Sequence, residues 1–326
     1  MQRILIAGFG FMGRKHAEVF HKIPEVSVVG VIDPRGEELR EDLRASDLGG
    51  IPVFGDLASA REQVDFSVVD ICLPTDLHRE LALQAFSVGK HVFCEKPIAL
   101  TRDDAAAMTA AAHKADRQFM VGHCIRFWPE YVELKRLVES AEYGRLVSLS
   151  LCRRTGRPVY SVGDWVNNPD RCLGAALDLH IHDADFLLHL LGAPEAVVSQ
   201  GLQDQTGWSS IATQYDYAGR IVTASGAWNY PENWGFQMSF TAVFERTVFE
   251  YDSRTGLALT VADAEPTTLS VLPGDGYDHE LAYFVGCLER GEPVDISTGA
   301  QAVASLDLVL TEIESAKSGK KVSYKN

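Results

Sequence analysis

Two rhythms of apolar and polar residues divide the chain. Up to about His123, short apolar runs alternate with stretches of helical period. Ile4 to Ala7, Val26 to Ile32, Val53-Phe54, Phe66 to Leu73, His91 to Cys94 and Phe119 to Gly122 read as buried strands. Met12 to Ile23, Glu37 to Ala45, Asp76 to Val88 and Thr101 to Ala115 read as the helices between them, the last capped by Thr101 with Asp103 and Asp104 in its first turn. Strands separated by helices imply a parallel, doubly wound sheet with right-handed crossovers. After Arg126 the rhythm changes. One helix, Pro129 to Ser140, leads into long alternating runs at Leu146 to Arg154, Ala196 to Gln203, Ser210 to Tyr217, Arg220 to Trp228, Gly235 to Phe244, Thr247 to Tyr251 and Leu257 to Ala262. Hairpin signals such as Tyr217-Ala218-Gly219-Arg220 make this second sheet mainly antiparallel. The helices Ala175 to Leu191, Tyr277 to Glu289 and Thr298 to Ala316 interrupt or end it, and the final pair is expected to cover earlier structure. The expectation is an α/β chain of two domains: 1–123 with the doubly wound parallel sheet, and 124–326 with an open, mainly antiparallel α+β sheet.

The first strand breaks into glycines spaced G-x-G-x-x-G, Gly8-Phe9-Gly10-Phe11-Met12-Gly13, at the mouth of the first helix. In such a turn Gly8 lets the chain reverse, Gly10 leaves room for a pyrophosphate and Gly13 lets helix and strand pack closely. The exposed amides and positive helix end hold the phosphates. Glycine turns after buried strands are common, so the pattern alone is weak. It gains from Asp33, which ends the second strand 20 residues beyond Gly13 and is placed to bind an adenosine ribose, with Pro34 next to it. Strand, turn, helix, strand and acid together point to a dinucleotide site.

Composition narrows the ligand further. At 326 residues, with 46% hydrophobic and 23% charged, the chain can bury two cores. Thirty basic against 45 acidic residues leave a net charge of -15, which opposes nucleic acid and anionic membranes and favours a small molecule. The six cysteines form no C-x-x-C pair and read as reduced core residues of a cytoplasmic protein. Ile4 to Met12 is interrupted by turn glycines and followed by no cleavage pattern, so it is not read as a signal segment, and nothing else approaches the ~20 apolar residues of a span.

Ligands of a doubly wound sheet lie beyond the C-terminal ends of its strands. That rule selects the glycine turn, the segment Leu73-Pro74-Thr75-Asp76-Leu77-His78, and Glu95-Lys96-Pro97. An arbitrary lysine after a strand is most often a surface residue. Beside a cofactor site, desolvation can bring its pKa towards neutrality and make Lys96 a proton donor or acceptor. A second concentration is Asp178, His180, His182, Asp183 and Asp185. On one helix Asp178 and His182 stand a turn apart, with Asp185 and His189 continuing the face. A carboxylate beside an imidazole suits a general base, the same spacing suits a metal, and a hydrogen-bonded buried face without chemistry is the bland alternative.

The chain resembles the glucose-fructose oxidoreductase and inositol dehydrogenase family (Gfo/Idh/MocA). The resemblance rests on Gly8 to Gly13, Pro74-Thr75 with His78, Glu95-Lys96-Pro97, Gly122-His123-Cys124-Ile125-Arg126-Phe127-Trp128-Pro129, Trp165, Asp178 with His182, and the final helix ending Ser315 to Lys320. It implies a Rossmann domain, NAD or NADP, and hydride transfer at a hydroxyl carbon of a sugar, polyol or inositol; Asp33, which would face the 2'-phosphate of NADP, makes NAD the preferred cofactor. Carried over, Lys96 belongs to the E-K-P signature and Asp178 and His182 to the D-x-x-x-H pair. These three are the expected catalytic residues. Gly8, Gly10, Phe11, Met12, Gly13, Asp33, Pro34, Leu73, Pro74, Thr75, His78, Glu95, Lys96 and Pro97 are expected at the cofactor. His123, Arg126, Arg153, Arg154, Trp165, Asp178 and His182 are expected at the substrate. The chain departs from its relatives before the D-x-x-x-H helix, where Cys172-Leu173-Gly174-Ala175-Ala176 replaces a glycine run, and at His180, where glycine is common. His180 either adds a polar group to the pocket or faces solvent. Two rival functions are a metal-dependent enzyme using Asp178, His182, Asp185 and His189, and a non-catalytic dinucleotide sensor; no metal is expected on the first reading. The bulky residues of Gln237 to Phe244 suggest a sheet face covered by a second copy, giving a homodimer or homotetramer.

Overall fold

The computed structural model describes residues 1–44, 49–159, 161–261, 265 and 267–324, so the expected end of the second helix at Ala45 and of the last long strand at Ala262 lie outside the described residues. Two compact units are present: one of Met1–His123, residues 161–163 and Tyr277–Val303, the other of Cys124–Val159, Asp164–Gly276 and the chain from Ala304 onward. The division at His123 falls where the rhythm of the sequence changes. Residues 277–303 group with the first unit instead of the second because Val121 N–H donates to the Ser297 carbonyl at 2.9 Å, Ser297 Oγ donates to the Val121 carbonyl at 2.6 Å, and Phe284 packs edge-on against Phe93.

In the first unit β1 (Gln2–Ala7), β2 (Val26–Ile32), β3 (Val53–Phe54), β4 (Val68–Ile71), β5 (His91–Glu95) and β6 (Phe119–Gly122) form a sheet in the order β3-β2-β1-β4-β5-β6. All neighbours run parallel. Buried on both faces, such strands need continuous apolar residues, and Ile4, Leu5, Ile6, Val68, Val69, Val92 and Phe93 are fully buried. The order reverses between β1 and β4, and the crevice beyond those strand ends is where an open sheet of this kind binds ligands. Thr101 Oγ1 accepts from Asp104 N–H at 3.2 Å and caps Arg102–Ala115. A helix at Leu57–Gln63, too short for its period to show in the sequence, starts in a reciprocal cap between Asp56 and Ser59. The expected helix Asp76 to Val88 opens as a 3-10 turn, Thr75–Leu77, and becomes regular at His78–Ser87.

The second unit is built on β7 (Leu146–Gly156), β8 (Ala196–Asp204), β9 (Gly207–Tyr217), β10 (Arg220–Tyr230), β11 (Gln237–Phe244), β12 (Thr247–Asp252), β13 (Gly256–Val261), β14 (Thr267–Thr268) and β15 (Val322–Ser323). Their order is β14-β13-β12-β11-β7-β10-β9-β8-β15, with β7 and β10 parallel and the other neighbours antiparallel. On β11 the bulky Met238, Phe240 and Phe244 are the core side, while Gln237, Ser239, Thr241 and Val243 are half-buried on the other. The bulky residues thus face inward, and any covering copy would meet small and polar side chains. Tyr131 anchors this core, meeting Phe186, Phe240 and Tyr251 edge-on. Among the described residues no helix is long and apolar enough to cross a membrane.

Candidate active site

Each glycine of the first turn has a distinct geometry. Gly8 has φ +86°, and a Cβ there would lie 2.6 Å from the Cys72 carbonyl oxygen. A Cβ on Gly13 would lie 2.0 Å from the Gly8 carbonyl oxygen, so the helix Phe11–His21 can approach the strand only with glycine at that position. A Cβ on Gly10 would meet nothing within 4 Å. That open space, at a helix N-terminus, fits a pyrophosphate. Asp33, buried at the end of β2, accepts from Phe9 N–H at 3.0 Å through Oδ2. Arg35 donates to both its oxygens, Nε to Oδ1 and Nη2 to Oδ2, each at 2.8 Å. Burial pushes the Asp33 carboxyl up, but the Arg35 and Phe9 hydrogen bonds prevail and hold it below the ordinary aspartate value. Phe11 and Pro34 are exposed, Met12, Leu73 and Pro74 half-buried, and Thr75 buried.

At the same edge of the sheet Lys96 directly follows β5 and is half-buried, with a cis peptide bond to Pro97. Its N–H donates to Glu95 Oε2 at 3.1 Å. Glu95 Oε1 lies 3.1 Å from His16 Nε2, and His16 Nδ1 lies 3.1 and 3.0 Å from the two oxygens of Asp70. Burial disfavours an imidazolium, but the Asp70 carboxylate prevails and raises His16 well above the ordinary histidine value. Burial likewise pushes Glu95 up, and the His16 and Lys96 charges bring it below the usual carboxylate range. His78 is buried with Nδ1 3.0 Å from the Pro97 carbonyl oxygen and Nε2 2.8 Å from that of Leu73, and burial sets it below its ordinary value.

In the second unit the expected single helix Ala175 to Leu191 is two. Ala175–Asp178 ends at a break, and Ile181–Leu191 follows. The Ala175 carbonyl receives both Leu179 N–H at 3.0 Å and His180 N–H at 2.8 Å, a local five-residue turn of the sort often found at functional sites. Gly226 on β10 makes room for it, since a Cβ there would lie 2.6 Å from His180 Cβ. Asp178 and His182 straddle the break, each 9% exposed. Around them the helix is fixed by buried pairs. His180 Nε2 lies 2.7 Å from Glu312 Oε2, Arg153 Nη2 donates to Asp183 Oδ1 at 2.9 Å, and Arg126 donates to both Asp185 oxygens at 2.9 and 2.7 Å. Neither expectation for His180 holds: it is fully buried, bonded to Glu312, and within 3.2 Å of the Tyr215 hydroxyl.

An oxidoreductase family with an NAD-binding Rossmann fold matches residues 2–123, and the GFO/IDH/MocA C-terminal domain matches residues 131–249. Myo-inositol 2-dehydrogenase of Thermotoga maritima is 30% identical over 299 residues, covering 88% of this chain and 83% of that one. The chain belongs to the Gfo/Idh/MocA family. Inositol 2-dehydrogenase of Rhizobium meliloti is 24% identical over 347 residues, 98% of either chain. Among solved structures, a levoglucosan dehydrogenase in complex with NADH and levoglucosan superposes with TM-score 0.86 at 20% identity, covering 99% of both chains. As a Gfo/Idh/MocA protein the chain is an oxidoreductase with an NAD-binding domain.

Within this family frame, the residues expected at the substrate divide. Asp178 and His182 lie at the helix break. Arg126 and Arg153 are buried in bidentate pairs with Asp185 and Asp183. His123 is fully buried, Trp165 packs on a cluster of Val166, Cys172, Ala175, Leu179 and Trp228, and Arg154 stands 6.0 Å from the Tyr230 ring centroid. The metal-ligand face does not assemble: Asp185 is taken by Arg126 and by Ser305 Oγ at 2.6 Å, and the groups near enough to share an ion among the described residues are His16 with Asp70 and Cys72, or with Glu95 and Glu280. Sequence reasoning missed His16, Asp70 and Glu312. His16 carries a faint signal, standing three residues beyond Gly13 on the helix face that meets the sheet.

Proposed function

We propose that this chain moves a hydride between a secondary alcohol carbon of a sugar, polyol or inositol and the nicotinamide of NAD. The observation that carries this reading is the position of Lys96, which directly follows β5 at the strand ends that also bear the glycine turn and Asp33. NAD supplies the hydride acceptor in the oxidation direction. Asp178 sets the orientation of the His182 imidazole, whose ring nitrogen accepts the hydroxyl proton. The Lys96 ammonium donates a hydrogen bond to the same oxygen and stabilises its developing negative charge. Family relatives named for inositol support a polyol substrate. The described cysteines are all free, which suits a reducing cytoplasm. The outward side of β11 suits a flat contact with a second copy.

The test is turnover beside NAD affinity in folded Lys96→Ala and His182→Ala. An interaction that strengthens as the alkoxide develops lowers kcat far more than cofactor affinity. The expected loss is ~2.7 to 4 kcal/mol for each, a rate factor of ~100 to 1000. Turnover within a few-fold of the unmodified protein in either variant would remove that residue from the machinery.

A further inference from the structure

Behind Lys96 the first unit buries a chain of charged groups. Asp70 of β4 faces His16, His16 faces Glu95 of β5, and Glu95 holds the Lys96 N–H, with contacts of 3.0, 3.1 and 3.1 Å. Ionised carboxylates only accept hydrogen bonds. An imidazole that meets one on each nitrogen donates from both and carries a positive charge. On the far side of Lys96, His78 lies between the Pro97 carbonyl, 3.0 Å from Nδ1, and the Leu73 carbonyl, 2.8 Å from Nε2, and in the tautomer with its N–H on Nδ1 it donates to Pro97. Gly122 on β6 leaves room for the Glu95 carboxylate at this point, since a Cβ there would lie 3.0 Å from Glu95 Oε1. Buried ion pairs are a weak source of stability, because desolvation offsets their attraction and apolar side chains of similar volume often hold a core as well. What they supply is direction. Here the directed bonds converge on the two residues flanking a half-buried lysine.

We propose that His16 and His78 are positioning residues for Lys96, His16 acting through the Glu95 carboxylate and His78 through the Pro97 carbonyl. The proposal rests on the role given to Lys96 above. Neither imidazole touches substrate on this reading. Each limits the placement of the turn that presents the ammonium, and a misplacement near 1 Å costs about a hundredfold in rate.

The experiment is a pair of double-mutant cycles with the polyol that turns over fastest. His16→Gln and His78→Gln are measured alone and in the Lys96→Ala background, with NAD affinity followed by fluorescence titration. Each single variant should lose about ten- to a hundredfold in kcat with KM and NAD affinity nearly unchanged. In the Lys96→Ala background the same substitutions should change residual turnover by no more than about twofold, because the group they position is gone. If His16→Gln does not fold, Asp70→Asn and His78→Gln carry the test. Undiminished, multiplicative losses in the Lys96→Ala background would overturn the positioning role while leaving Lys96 itself in place. So would NAD affinity falling in parallel with kcat, or stoichiometric metal released by His16→Gln. Full turnover in Lys96→Ala alone would instead overturn the role of Lys96, and this proposal with it.

Discussion

Asp33 and Arg35 make cofactor choice a test of electrostatics. Asp33 is 4% exposed and has both oxygens engaged: Oδ1 by Arg35 N–H at 3.0 Å and Nε at 2.8 Å, Oδ2 by Arg35 Nη2 at 2.8 Å and Phe9 N–H at 3.0 Å. Its carboxyl is held below the ordinary value, so it is ionised at neutral pH. Ribose hydroxyls can donate to a carboxylate, whereas the 2'-phosphate of NADP brings a dianion against it. One charge pair at ~4 Å is worth ~1 to 4 kcal/mol between water-exposed and partly buried settings. Arg35 offsets part of this, but its guanidinium is committed to Asp33 and also donates to the Phe9 carbonyl at 3.0 Å. The unmodified enzyme should therefore prefer NAD in kcat/KM by about tenfold or more. Asp33→Ala removes the repulsion and releases a guanidinium that is 22% exposed, so NAD should lose efficiency, NADP should gain, and the ratio should fall towards or past unity. Arg35→Ala should widen the preference for NAD. Rates with both cofactors and one polyol, followed by nicotinamide absorbance, give the ratios. Equal efficiency in the unmodified enzyme, or a ratio unmoved by Asp33→Ala, would refute the reasoning.

Four further outcomes are expected. Gly226→Ala, whose Cβ would stand 2.6 Å from His180 Cβ, should lower stability by about 1 to 3 kcal/mol in thermal unfolding, and an unchanged Tm would count against the fit of the helix break on β10. His189, pushed down to about 4 by burial and by the Arg126 and Lys135 charges, stays neutral in the folded chain where the unfolded chain takes up a proton. Stability should therefore fall as pH drops from about 6.5 to 4, and His189→Gln should flatten that limb by at most about 1 to 2 kcal/mol after allowance for partial exposure. The raised His16 and His180 act in the opposite sense: their contribution is complete below about 6.5 and is lost as pH climbs through their folded values, which a series of Tm measurements against pH would show as an alkaline decline. Light scattering should give a mass above that of one chain, and a monomer at micromolar concentration would dismiss the self-association expected of the open sheet.

The fold was legible because each unit repeats one local rule. Buried parallel strands give unbroken apolar runs, and a half-covered sheet gives alternation, so the two rhythms marked two architectures without any long-range information. The glycine turn was legible for the same reason: close approach and phosphate access leave traces within six residues. The charged groups left no such trace. His16 meets partners 54 and 79 residues away, and His180 meets one 132 residues away, so their types could be seen but not their pairing. Arg126 and Arg153 read as hands for a substrate because unpaired arginines near a site usually are. Asp185 and Asp183, which engage them, were visible only as members of a polar helix face. The break at Leu179 and His180 was hidden by good helix formers on either side, and the glycine that makes room for it, Gly226, belongs to a strand 46 residues further on.

These buried pairs share a logic in the two units. In the second, His180, Asp183 and Asp185 flank His182 and are tied to Glu312, Arg153 and Arg126 on the terminal helix, on β7 and ahead of Pro129–Ser140. In the first, the residues on either side of Lys96 are tied to His16 and His78. Neither arrangement is what stability alone would select, since ions taken from water recover little of their hydration when paired. Directed bonds do what apolar packing does poorly. They fix rotation about a helix axis and the depth of a turn, and a proton transfer across one hydrogen bond is sensitive to both. A helix held only by leucines could slide by fractions of an ångström at little cost. One held by Arg126, Arg153 and Glu312 at separate points cannot move without breaking a buried bond, which leaves a charge unpaired and costs several kcal/mol. The buried opposite charges around this helix therefore fix its backbone, and on the function proposed above it is that fixed backbone which carries His182.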